Sequence, residues 1–187
     1  MLATRYAWPV RVAWLALRIC VVGVACHAVA FLHHGHIVMF LSDVLERLRR
    51  DQQGELDGAR VRQESSKLQV DFGEPSVHYV VAVHRKTRSL EVALHFEGDR
   101  DDNQRHLREL SERKSLPSRL GKGLEMEQWT RDWTRVHRTT VLSRGDWSPK
   151  RDLTPDLVQQ TARTLLRFIR LLRPLVEREP RAGKSHR

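Results

Sequence analysis

The sequence predicts an α+β domain: a small antiparallel sheet packed by helices, preceded by an apolar N-terminal leader. Three observations predict it. Residues 77–84 and 90–97 alternate apolar and polar side chains on either side of a polar turn at Lys86–Ser89, and residues 157–172 repeat apolar side chains at three- and four-residue spacing. Residues 1–38 hold both cysteines and no Asp or Glu, whereas the body that opens at Met39 is highly charged.

In the leader, Arg5, Arg11 and Arg18 precede the apolar run from Ile19 to Leu32, and Ala28-Val29-Ala30 has the small-residue form of a signal-peptidase site. The run is marginal as a membrane span, since Arg18 bounds it on one side and His33, His34 and His36 on the other. Residues 1–38 therefore read either as a signal or anchor or as an in-frame extension upstream of a start at Met39. A start at Met39 predicts a cytoplasmic protein; a genuine leader predicts export or membrane anchoring. With Cys20 and Cys26 both in the leader, no disulfide framework or thiolate metal site is available to the body.

The body reads as a single α+β domain over residues 39–178. Leu41, Val44, Leu45 and Leu48 recur at helical spacing, and Asp43 and Glu46 stand as in a capping box, which places a helix over residues 42–52. Residues 53–67, loosened by Gly54 and Gly58, read as a polar linker. Leu68, Val70 and Phe72 supply a strand ended by Gly73 and Pro75. In the hairpin that follows, the expected register sets Val83 against Val92, Val81 against Leu94 and Tyr79 against Phe96; on the other face it sets His84 against Glu91 and His78 against Glu97.

Asp99 to Asp102 lead into a polar helix carrying Leu107 and Leu110, expected to end before Pro117 because proline disfavours helix at the residue preceding it. Gly121 and Gly123 mark a turn. Leu124, Met126 and the stretch from Trp129 to Leu142 read as one or two strands, although Trp129 and Trp133 would also share a helical face. Thr154-Pro155-Asp156 is an N-cap, a first-turn proline and a dipole-favourable acid; Leu157, Thr161, Ala162, Leu165, Leu166, Ile169 and Leu172 form the buried stripe. Pro174 is expected to stop or kink this helix, and residues 179–187 to form a basic, disordered tail.

The net charge of +10 is uneven, with residues 99–187 carrying 21 Lys and Arg against 13 Asp and Glu. An anionic partner, nucleic acid above all, should therefore meet the C-terminal half; a membrane is a partner only if the leader is genuine. Arg163, Arg167, Arg170 and Arg173 recur along the last helix, and Trp129, Arg131, Trp133 and Arg135 offer aromatic and guanidinium surfaces, so these eight residues are the candidate nucleic-acid contacts. The polar face of the hairpin offers a second candidate site: His78, His84, Glu91, His95 and Glu97 combine the imidazole and carboxylate groups needed for acid–base work or metal binding.

No phosphate loop, dinucleotide fingerprint, zinc-finger spacing or nucleophile elbow is present, so no cofactor, metal or catalytic residue is assigned and a non-enzymatic role is expected. His33-His34-Gly35-His36 lacks carboxylate support for tight metal binding. Asp71 and Glu91 have the spacing of restriction-type nuclease acids, but Ala93 stands where such enzymes carry Lys. The stretch from Leu90 to Glu97, with Asn103, Leu107, Leu110, Leu120-Gly121, Trp129 and the segment from Arg167 to Leu172, resembles an uncharacterised bacterial domain family sometimes found beside nuclease or restriction modules. That resemblance implies a compact α+β accessory domain and, through its neighbours, a DNA-related role. The alternative is an exported or membrane-tethered domain of unknown activity.

Overall fold

The hairpin at residues 77–96 is the centre of a six-stranded, wholly antiparallel sheet. The computed structural model describes residues 33–51 and 53–177, with the backbone alone at Gln53. The leader segment 1–32, with its signal or anchor reading, and the tail from residue 178 lie outside the described residues. In chain order the elements are α1 (residues 33–51), a 3-10 turn (Gln53–Leu56), β1 (Arg60–Gln63), β2 (Lys67–Asp71), β3 (Val77–His84), β4 (Ser89–Phe96), α2 (Arg100–Ser111), α3 (Leu116–Leu120), β5 (Leu124–Gln128), β6 (Thr134–Val141), α4 (Pro149–Asp152) and α5 (Pro155–Val176). The strands lie in the order β1-β2-β3-β4-β6-β5, and α2 and α3 are inserted between β4 and β5. The chain is an α+β protein.

One face of the sheet is apolar. Leu68, Val70, Tyr79, Val81, Val83, Leu90, Val92, Leu94, Phe96 and Val136 are buried there against Leu165, Phe168, Ile169 and Leu172 of α5 and Ile37, Phe40, Leu41, Val44 and Leu48 of α1. The α5 stripe is the expected one, with Phe168 added to it. Thr154 caps the helix by accepting the Leu157 N–H at 3.2 Å. Pro174 neither stops nor visibly ends α5, which runs on to Val176. It stands in the last turn, where little helix remains for its ring and missing N–H to disturb.

Three further expectations are corrected. The first helix does not begin at Ser42: α1 already includes residue 33, because Ile37 and Phe40 extend the buried stripe N-terminally, across the expected boundary at residues 38 and 39. Ser42 is consequently mid-helix, its hydroxyl donating back to the Val38 carbonyl at 3.0 Å. The supposed linker at 53–67 contains β1, whose Arg60 and Arg62 flank the half-buried Val61 and pair along β2. The polar helix α2 does end before Pro117, at Ser111, but Leu116 is nonetheless helical, because Pro117 sits in the first turn of α3, a position where a missing N–H leaves no helical bond unmade. The stretch from Leu124 to Val141 is the two-stranded alternative, and Trp129 and Trp133 bracket the β5–β6 turn, the Trp129 N–H donating to the Trp133 carbonyl at 3.2 Å.

The hairpin register is also corrected. Val83 pairs with Leu90, Val81 with Val92, Tyr79 with Leu94 and Val77 with Phe96, while His84 faces Ser89 and His78 faces His95. The turn is Arg85 to Arg88, with Arg88 at φ 52°. The expected register was two residues out. A shift of two preserves which face each side chain takes and changes only its neighbours.

Candidate functional site

The second face of the sheet carries the alternate residues of the same strands. Helices α1, α2, α3 and α5 contribute buried side chains to the apolar core, while on the second face Val80, Ala93, His78, Glu91, His95 and His137 are themselves shielded from solvent. On this second face β3 presents His78, Val80, Ala82 and His84, β4 presents Glu91, Ala93 and His95, and β6 presents Arg135 and His137. The crossing from β4 to β6 places Arg135 beside His95 and, on its other flank, beside Glu127 of β5.

Glu91 is the hub. It is 3% exposed, on a face expected to be wet, because three large side chains close over it. His84 Nε2 donates to one carboxylate oxygen at 2.8 Å, His95 Nε2 donates to the other at 3.2 Å, and Arg135 Nη1 reaches both at 3.0 and 3.1 Å. Burial alone would raise the Glu91 pKa, but these donors and the guanidinium charge hold it well below the ordinary carboxylate range. His95 is pulled the opposite way: burial disfavours its charge, yet hydrogen bonds to Glu91 and Glu97 raise its pKa. Glu97, in turn, is lowered chiefly by its bond from His95.

The sequence-selected face residues are therefore together. His78 stands next to His95, with ring centroids 5.5 Å apart, and its Nε2 is 3.7 Å from a Glu97 oxygen. The pairing of His84 with Glu91 was expected as a directly opposed cross-strand contact; it is instead diagonal, since Ala82 is the residue opposite Glu91. Sequence reasoning missed His137 and Glu127, which adjoin the network. His137 Nε2 lies 3.2 Å from Glu127, whose carboxylate Arg135 grips through Nε and Nη2 at 2.9 and 2.6 Å. Their signal was alternation, in β5 for Glu127 and in β6 for His137, legible only once the two strands and their pairing were fixed.

The eight candidate nucleic-acid residues divide. Trp129, Trp133 and Arg135 gather at one end of the polar face: the Trp rings are 5.9 Å apart, Trp129 lies 5.0 Å from the His95 ring, and the Arg135 guanidinium stands 5.1 Å from the Trp129 centroid. Arg131 is in the turn between the two tryptophans. Arg163, Arg167, Arg170 and Arg173 lie on α5, across the thickness of the sheet. Arg170 pairs with Glu55 at 2.7 Å, and Arg173 pairs with Glu177 at 2.7 Å while covering the Phe72 ring. These four cannot form one surface with the tryptophans. Nor is the folded body strongly basic, since residues 33–177 hold 26 Lys and Arg against 22 Asp and Glu.

Asp71 and Glu91 are each committed to arginine, Asp71 to Arg60 and Arg62 at 3.0 and 3.5 Å. Gly73, at φ 100°, turns its N–H onto the Asp71 carboxylate at 3.2 Å. No family model matches the chain, and no curated protein or solved structure matches it.

Proposed function

We propose that the chain is a small accessory domain that binds single-stranded nucleic acid, with unpaired bases stacking on the exposed Trp129 and Trp133 at the β5–β6 turn. The observation that carries this reading is the exposure of the two indoles, 38% each, side by side and next to the buried ring of His95. An aromatic pair left half in water at a sheet edge is costly unless something covers it, and a nucleobase does so without sequence preference. The Arg135 guanidinium beside Trp129 extends the flat surface, and Arg131 in the turn supplies a cation for the backbone phosphates. With Arg135 already paired to Glu91 and Glu127, stacking outweighs charge in this mode, so of the aromatic and guanidinium surfaces expected from the C-terminal half the aromatic ones carry the contact.

Binding of a fluorescent oligothymidine to the full chain tests the reading. Trp129→Ala and Trp133→Ala should each weaken it by about 1–3 kcal/mol. Arg167→Ala on the far side of the sheet should change it less than about twofold, the effect of one screened and distant charge. Equal loss in all three variants, or no binding by the unaltered chain at low salt, overturns it.

A further inference from the structure

We infer that His78, His95 and Glu97 form a binding site for a divalent transition-metal ion of the zinc class. The three residues come from β3, from β4 and from the residue that follows β4, and each offers a donor atom within 4.8 Å of the other two. His95 Nδ1 is 3.4 Å from a Glu97 oxygen and His78 Nε2 is 3.7 Å from the same oxygen. Ligands held about 2.0–2.1 Å from a tetrahedral zinc ion stand roughly 3.3–3.4 Å apart, so the separations are already close to those of a loaded site.

Orientation is the stronger argument. The far nitrogen of each imidazole is held by an acceptor: His78 Nδ1 donates to the Pro75 carbonyl at 2.8 Å and His95 Nε2 donates to Glu91 at 3.2 Å. A carbonyl and an ionised carboxylate can only accept, so those nitrogens carry protons; His78 Nε2 is then the nitrogen free to coordinate, and His95 Nδ1, which in the charged ring donates to Glu97, coordinates once the metal displaces that proton. Backbone carbonyl and carboxylate partners of this kind are what fix ligand histidines in metalloproteins. Both rings are buried, so little side-chain entropy remains to be lost on binding. His78 Nε2 otherwise presents its lone pair to a carboxylate oxygen, two electron-rich atoms facing each other, and a cation between them turns that opposition into coordination.

The choice of this cluster over its neighbour follows from charge. Glu125, Glu127 and His137 also converge, but Arg135 occupies the Glu127 carboxylate with two hydrogen bonds and opposes a second cation there. Glu97 has no arginine partner within ion-pair distance among the described residues, and Glu91, already accepting from three side chains, acts behind His95. Three protein ligands leave a fourth position to water or an added ligand, and nitrogen with one oxygen favours zinc, cobalt or nickel over magnesium or calcium.

Titration of the chelator-treated full chain with zinc, followed by calorimetry, and with cobalt, followed by its visible absorption, tests the assignment in the absence of nucleic acid, so it can fail independently of the stacking reading. One ion per chain should bind with a rise in melting temperature. Glu97→Gln, at a partly exposed position, should weaken zinc at least about tenfold while the variant stays folded by circular dichroism, and His95→Ala should do the same or more. Replacing His33, His34 and His36 together by Ala, or Glu125→Gln alone, should leave the affinity within about twofold, as changes outside the ligand set. Absence of zinc binding by the unaltered chain, or an affinity that survives Glu97→Gln but falls with the triple histidine or the Glu125 variant, overturns the site. Should His95→Ala fail to fold, the Glu97 variant still decides.

Discussion

The two faces of this sheet are made of the same strands and solve opposite problems. On the helix side Leu94, Phe96, Val81 and Ile169 are buried among groups that ask nothing of their neighbours but shape and volume. On the polar side Glu91, His95, His78 and Asp71 are almost as inaccessible, and each has a partner of the right charge or hydrogen-bonding capacity against it. The comparison teaches that burial alone does not locate a core. The apolar face derives stability from area removed from water, whereas the polar face holds a set of charges whose removal one at a time is costly and whose net worth as a set is small.

The largest break in the comparison comes from the helix side. Phe168→Ala removes a fully buried ring facing the sheet and should destabilise the chain by about 3–5 kcal/mol, read as a lower urea midpoint at unchanged slope. An equal effect on zinc or oligonucleotide binding at temperatures where the variant is folded is not expected, since the sheet separates the two sites. On the polar side, Glu91→Ala leaves Arg135 and two histidines without their common acceptor and should cost roughly 2–4 kcal/mol, discounted because Arg135 and His84 reach solvent. Replacing Glu91 and Arg135 together should cost less than the sum of the two single changes, a coupling that two contacting residues of the apolar face would show only through cavity collapse.

The smallest effect sharpens the same contrast through pH. Burial by itself would raise the Asp71 pKa, but the Gly73 N–H, Arg60 and Arg62 outweigh it and the value is lowered from 3.8. The unfolded chain therefore takes up this proton first as the pH falls. The stabilisation is fully present above the ordinary aspartate value and is lost as the pH drops below 3.8 through the folded value. Asp71→Asn should flatten that part of the acid limb in urea unfolding measured as a function of pH, while Phe168→Ala should lower the whole curve without changing its shape. An unchanged acid limb in Asp71→Asn would show that Arg60 and Arg62, both largely exposed, do not hold the carboxylate.

Much of this was legible in the chain. Period-two alternation in residues 77–84 and 90–97 assigns every one of those side chains to its face whatever the register, which is why an expectation two residues out still selected His78, His84, Glu91, His95 and Glu97 as one polar surface. The α5 stripe and its Thr154 cap were legible because both depend on local spacing. The start of α1 was not, since a Ser followed by two acids at capping distance carries the same local signal whether it caps a helix or lies within one; burial of Ile37 and Phe40 decided between them. Strand β1 was hidden by its arginines, whose aliphatic stems and charged ends suit an edge strand as well as a linker.

Local chemistry thus determined the α+β class, the inward and outward sides of the central hairpin and the residue types of the polar face. Only the tertiary structure decided that β6 returns beside β4, which brings Arg135 onto Glu91 and Trp129 against His95, and that the α5 arginines face away from both. The physical reason is range. Side-chain direction in a strand or helix is set by dihedrals a few residues long, whereas which strands are neighbours is set by burying one continuous apolar face under α1 and α5, a condition that involves the whole chain at once.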